Sequence, residues 1–150
     1  MFRILIICTA NICRSPTAQI LLAKALEGHS VEVCSAGTVA RNGDEADQQM
    51  QLLVAHHRLG QLSGHRSRNL LPSYVNQSDL VLCMEPEHCE AVLRLQPLAI
   101  GRTKLMGYWD GLETVDDPTG GLPAEYEKTL FDLKRMCGQW ADKVVALGMC

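Results

Sequence analysis

The sequence has 150 residues, of which 47% are hydrophobic and 21% charged, and its formal net charge is -3. That is one domain's worth of chain, residues 1–150, with enough apolar content for a core, and it excludes wholesale disorder. The acidic balance argues against a nucleic-acid partner, and the first apolar run, residues 4–7, is too short to cross a bilayer or drive secretion, so a cytoplasmic protein without a membrane partner is expected. Residues 3–8 (R-I-L-I-I-C) are aliphatic and β-branched, as suits a strand buried on both faces. Ser15-Pro16 reads as a helix start with Ser at the N-cap. Ile20, Leu21, Ala25 and Leu26 then form one apolar stripe before Gly28 closes the helix. Residues 31–35 predict a second strand and 47–59 a second helix, closed by Gly60. Residues 79–84 (D-L-V-L-C-M) predict a third strand and 86–95 a third helix, stopped by Pro97. Residues 103–106 predict a short fourth strand. Residues 123–147 carry a long helical pattern, with Leu130, Leu133, Met136, Cys137, Trp140 and Val144 along one face.

This alternation predicts an α/β fold: a doubly wound, flavodoxin-like parallel sheet of about four strands with helices on both faces. Such sheets bind ligands at the carboxyl ends of their strands, near a topological switch point. The polar or glycine-rich stretches 41–44 and 114–122 are candidate functional loops. The runs His56-His57-Arg58 and Arg66-Ser67-Arg68 read as solvated faces. The seven cysteines are odd in number and scattered, and none forms a C-x-x-C pair. That argues against a disulfide framework or a structural zinc site. About four or five of them read as small buried apolar residues.

The first strand runs into Cys8-Thr9-Ala10-Asn11-Ile12-Cys13-Arg14-Ser15-Pro16. A cysteine ends a buried strand and, six places on, an arginine opens a helix. Backbone N–H groups of such a turn make a nest for an anion, and the helix dipole adds positive potential. Both favour a thiolate nucleophile. Arg14 can present a planar fork to two oxygens of a tetrahedral oxyanion. With 9 arginines in 150 residues, chance alone gives about 0.4 such cysteine–arginine pairs. The placement between strand and helix carries the signal.

The segment C-T-A-N-I-C-R-S-P resembles the low-molecular-weight protein tyrosine phosphatases. Ser35-Ala36-Gly37-Thr38 is similar to the family's segment after the second strand, and His65-Arg66-Ser67-Arg68 to its H-x-x-R element. Residues 79–84 resemble its third strand, and Asp117-Pro118 its late Asp-Pro loop. The 41–44 loop and Gly107-Tyr108-Trp109-Asp110 resemble the bacterial branch acting on exopolysaccharide tyrosine kinases. The resemblance implies an enzyme that acts on a tyrosine-phosphorylated protein. It makes Cys8 the nucleophile, Arg14 the phosphate ligand and Asp117 the general acid and base. The acidic, patch-free composition gives no reason for more than a monomer, no metal ligand set is evident, and the mechanism needs no metal or cofactor. Asp-Pro alone is an ordinary turn pair, and Asp116 is the lesser candidate for the acid. Thr9, Ala10, Asn11, Ile12, Cys13 and Ser15 would form the phosphate loop, with Ser35 and His65 supporting Asn11. The resemblance also implies that Cys8 and Cys13 pair as a disulfide on oxidation.

Three positions depart from the family. Ala10 replaces a usual glycine, and Gln19 replaces a common acid. Thr119 stands where an aromatic usually flanks the substrate ring, a wall that Trp109 or Tyr108 would have to supply instead. Two other functions fit parts of the pattern. A thiol-dependent arsenate reductase would need Cys83 and Cys89 as relay thiols. A silent phospho-tail binding module would need no general acid.

Overall fold

The computed structural model describes all 150 residues. Four strands form one parallel sheet: β1 (Phe2–Cys8), β2 (Val31–Gly37), β3 (Leu80–Cys83) and β4 (Thr103–Leu105), in the order β2-β1-β3-β4. β1 lies inside the sheet and pairs on both sides, which explains its unbroken apolar run. Ile4, Ile6 and Cys8 join the core on one face, while Leu5 and Ile7 join the core on the other.

The first face is covered by α1 (Arg14–Ala25), α2 (Gln48–His56) and α5 (Pro123–Ala146). The second is covered by α3 (Pro72–Asn76), α4 (Pro86–Leu95) and a 3-10 turn at Pro97–Arg102. The expected doubly wound architecture is therefore present. The chain moves to opposite sides of β1 when it enters β2 and β3, so the switch point lies at the Cys8 end. No helix is long and apolar enough to cross a membrane.

Several boundaries differ from the sequence reading. α1 begins at Arg14 with Cys13 at its N-cap, rather than at Ser15. Pro16 remains in the first turn, where a missing N–H costs no intrahelical bond. β2 runs two residues further, because Ala36 and Gly37 pair with Ile7 and Cys8. A Cβ on Gly37 would meet the Thr9 carbonyl oxygen at 2.5 Å, so glycine permits this close approach to the loop after β1. α2 ends at His56, and Asp47 caps it by accepting the Met50 N–H at 3.0 Å. The short α3 and the 3-10 turn carry too few residues for a periodic signal.

Candidate active site

The loop between β1 and α1 curls around a small cavity at the switch point. Its left-handed residue is Asn11, with φ of 57°, and not Ala10. Alanine at position 10 therefore needs no positive φ, and asparagine tolerates one better than most residues. Asn11 is fully buried and its polar groups are engaged. Its Nδ2 donates to Ser15 Oγ at 2.7 Å and to Ser35 Oγ at 3.0 Å. Its Oδ1 accepts the Arg68 N–H at 2.9 Å, and its carbonyl accepts from His65 Nε2 at 2.7 Å. A carbonyl only accepts, so His65 carries its proton on Nε2, and burial holds this imidazole below its usual pKa. Ser35 in turn donates to Gln19 Oε1 at 2.6 Å, which gives the glutamine an acceptor role.

Cys8 Sγ lies 2.9 Å from Ser15 Oγ. Ser15 Oγ already accepts from Asn11, so its own proton is free to point at the sulfur. A thiolate at Cys8 would gain a directed donor. Cys13, at the helix N-cap, is buried, and desolvation pushes its thiol well above the ordinary range.

Arg14 is 3% exposed, and three acceptors hold its guanidinium. Nη1 donates to the Val115 carbonyl at 2.7 Å and lies 3.4 Å from Glu85 Oε1. Nη2 donates to Thr9 Oγ1 at 3.3 Å. Thr9 Oγ1 also meets His88 Nε2 at 2.8 Å. His88 Nδ1 accepts the Glu85 N–H at 3.1 Å, so Nε2 bears the proton and donates to Thr9. Burial, followed by the Arg14 charge, pushes His88 down to about 4. Glu85, Glu87 and His88 are spaced like metal ligands, yet both His88 nitrogens are engaged in these bonds.

This depressed histidine predicts a pH effect on stability. The unfolded chain takes up the His88 proton near 6.5, and the folded chain takes it up at about 4. Between these values the unfolded state binds more protons, so stability falls as pH falls from about 6.5 to about 4. Urea midpoints measured across this range should decline in the native protein. In His88→Gln the slope should be shallower.

Asp117 lies at the rim of the same cavity, whose lining joins Cys8, Arg14 and the loop between them with Asp117 and Thr119. Asp117 is exposed, and its Oδ1 accepts both the Thr119 N–H at 3.1 Å and the Thr119 hydroxyl at 2.6 Å. Thr119 thus places a hydroxyl, not a ring, at the mouth. Asp116 is absent from this lining, and its carbonyl accepts from Thr129 Oγ1 at 3.5 Å. Trp109 and Tyr108 do not replace the missing wall. Trp109 packs 5.6 Å from Trp140 and 4.8 Å from Tyr108, beneath Lys143 on the far half of α5.

Of the run Arg66-Ser67-Arg68, only Arg66 is exposed as expected. Ser67 is buried, and Arg68 donates through Nε to the Ser35 carbonyl at 2.9 Å and stacks on Tyr74. Sequence reasoning also missed Glu85, His88 and the Val115 carbonyl, because each meets the site only through tertiary approach.

The profile of the low molecular weight phosphotyrosine protein phosphatase family matches residues 3–147. The chain belongs to this family. The phosphatase is 36% identical over 141 residues to the Escherichia coli K12 low molecular weight protein-tyrosine-phosphatase Etp, covering 94% of this chain and 93% of that one. Its fold matches Vibrio vulnificus Wzb, solved with benzylphosphonate, at a TM-score of 0.87 and 33% identity, over 95% of this chain and 98% of that one. It also matches the YwlE arginine phosphatase of Geobacillus stearothermophilus at a TM-score of 0.89 and 30% identity, over 99% and 96% of the two chains. The family makes this chain a protein-tyrosine-phosphatase, an enzyme that hydrolyses phosphotyrosine on a phosphoprotein substrate.

Proposed function

We propose that the phosphatase works through a cysteinyl-phosphate on Cys8, with Arg14 as phosphate ligand and Asp117 as proton donor and acceptor. The observation that carries this reading is one cavity lined by Cys8, Arg14 and Asp117 together. The Cys8 thiolate attacks phosphorus, and the bond from phosphorus to the tyrosine oxygen breaks. Asp117 gives its proton to the departing phenolate oxygen. Water then attacks phosphorus, Asp117 takes a proton from it, and the sulfur–phosphorus bond breaks to release phosphate and the thiolate. Arg14 and the N–H groups of residues 9–15 hold the equatorial oxygens throughout. Asn11, Ser15, Ser35 and His65 keep the loop in its anion-binding shape.

The cavity shared by Cys8 and Cys13 supports a disulfide between them when peroxide oxidises Cys8. The arsenate reductase reading loses support. Cys83 belongs to the core on the opposite face of the sheet from Cys8, and Cys89 packs against that same core. The resemblance of the 41–44 and 107–110 segments supports a bacterial tyrosine kinase as the physiological substrate. We place the phosphatase in the cytoplasm as a single 150-residue domain acting as a monomer. Its seven free cysteines support a reducing compartment.

A substrate panel tests this reading. Phosphotyrosine peptide should be hydrolysed faster than phosphoserine or phosphoarginine peptide, and EDTA should leave the rate intact. Equal rates on all three peptides, or loss of activity with EDTA, would overturn it.

A further inference from the structure

The first turns of α5 grip the loop that carries Asp117 at three points. Thr129 Oγ1 donates to the Asp116 carbonyl, Glu125 Oε2 accepts the Leu122 N–H at 2.8 Å, and the Tyr126 hydroxyl accepts the Gly120 N–H at 3.3 Å. These contacts bracket residues 117–119. The first two end at the loop. The Tyr126 hydroxyl continues, because it donates to Asp47 Oδ1 at 3.1 Å. Asp47 is the N-cap of α2, and its own N–H donates to the Ile12 carbonyl at 2.7 Å. An unbroken path therefore runs from Gly120 through the Tyr126 hydroxyl and Asp47 to Ile12, in the loop that holds Cys8.

The hydrogen count along this path is consistent. A phenol has one proton, which goes to the carboxylate, and its oxygen takes the Gly120 N–H. The bond to Asp47 is charge-assisted. Tyr126 is 2% exposed, so its hydroxyl sits where these bonds are not exchanged freely with water. A buried tyrosine needs only some partner for its hydroxyl. Here one partner, Gly120, belongs to the segment with the acid, and the other, Asp47, holds the Ile12 carbonyl of the segment with the nucleophile through its own N–H. In-line attack puts Cys8 and the leaving oxygen on opposite sides of phosphorus, so the spacing between these segments sets how well the acid reaches that oxygen.

We propose that Tyr126 is a positioning residue whose hydroxyl sets the acid loop against the phosphate loop. The inference deepens the reading above and rests on a proton donor being carried by that loop.

The test is Tyr126→Phe, which removes one oxygen and keeps the ring. The kcat/KM for phenyl phosphate, which reports the steps up to departure of a leaving group that needs a proton, should fall by about 5- to 20-fold. The loss should be at least about five times smaller for 2,4-dinitrophenyl phosphate, which departs without one. Inhibition by vanadate should shift less than about two-fold, because the phosphate loop itself is intact. Tyr126→Phe combined with Asp117→Asn should be no slower on phenyl phosphate than Asp117→Asn alone, since both act on the same proton transfer. Equal losses on the two esters or no loss on phenyl phosphate would each overturn the proposal, as would additive losses in the double variant where Asp117→Asn itself shows leaving-group dependence. The single variants separate the two claims. If Asp117→Asn shows no leaving-group dependence while Tyr126→Phe does, Asp117 is the wrong acid and the positioning role stands.

Discussion

Cys8→Ser is expected to lose turnover by on the order of 10⁴-fold or more, because a serine hydroxyl stays protonated at neutral pH. Binding of inorganic phosphate or vanadate should persist. The guanidinium of Arg14 is fixed by the Val115 carbonyl, Thr9 and Glu85, none of which depends on the sulfur. Ser15 would face a hydroxyl in place of the sulfur that now lies 2.9 Å away, a change the loop can accept without moving Asn11. Calorimetric titration with phosphate alongside a phosphotyrosine assay measures both halves. Retained turnover would remove Cys8 from its role, and lost binding with a folded chain would show that the thiolate shapes the nest.

Asp117→Asn is expected to slow hydrolysis of aryl phosphates with poor leaving groups by ~10²–10⁴. The asparagine can still accept from the Thr119 N–H and hydroxyl, so the loop geometry at 117–119 should survive. What it cannot do is deliver a proton. A plot of log kcat/KM against leaving-group pKa should therefore steepen in the variant and stay shallow in the native enzyme. If Asp116→Asn steepens the plot instead, the proton comes from the neighbouring carboxylate. An equal loss at every leaving group would make Asp117 structural.

The sheet and the nucleophile loop were legible because they are local. An unbroken aliphatic run, a cysteine and an arginine at a helix start lie within a dozen residues of one another. Asn11, Ser35 and His65 were legible only through resemblance, since their link is a set of tertiary hydrogen bonds. Arg68 was misread because a charged residue in an R-S-R run looks solvated, and only the fold turns it toward Ser35 and Tyr74. His88 and Glu85 were invisible for a similar reason. Glu85 is the N-cap of α4 and His88 sits in its first turn, and the approach of α4 to the loop after β1 is what makes them neighbours of Arg14. Thr119 was seen as a missing ring, while its grip on the Asp117 carboxylate required coordinates.

Asn11 reaches Ser35 across 24 positions and Arg68 across 57, and Arg14 reaches the Val115 carbonyl across 101. A peptide of residues 8–15 contains the nucleophile and every group assigned to holding the phosphate oxygens, yet almost none of the scaffolding that bends it. Closing such distant contacts costs chain entropy that a short segment cannot recover, so the nest exists only once the sheet has paired. Ligation and folding are therefore thermodynamically linked in this enzyme. An oxyanion at one hundred times its dissociation constant would add about 2.7 kcal/mol to the stability of the whole chain. The same linkage runs in reverse: a core substitution far from the cleft that populates the unfolded chain weakens the apparent affinity for phosphate by the folded fraction lost, without touching any residue that contacts it.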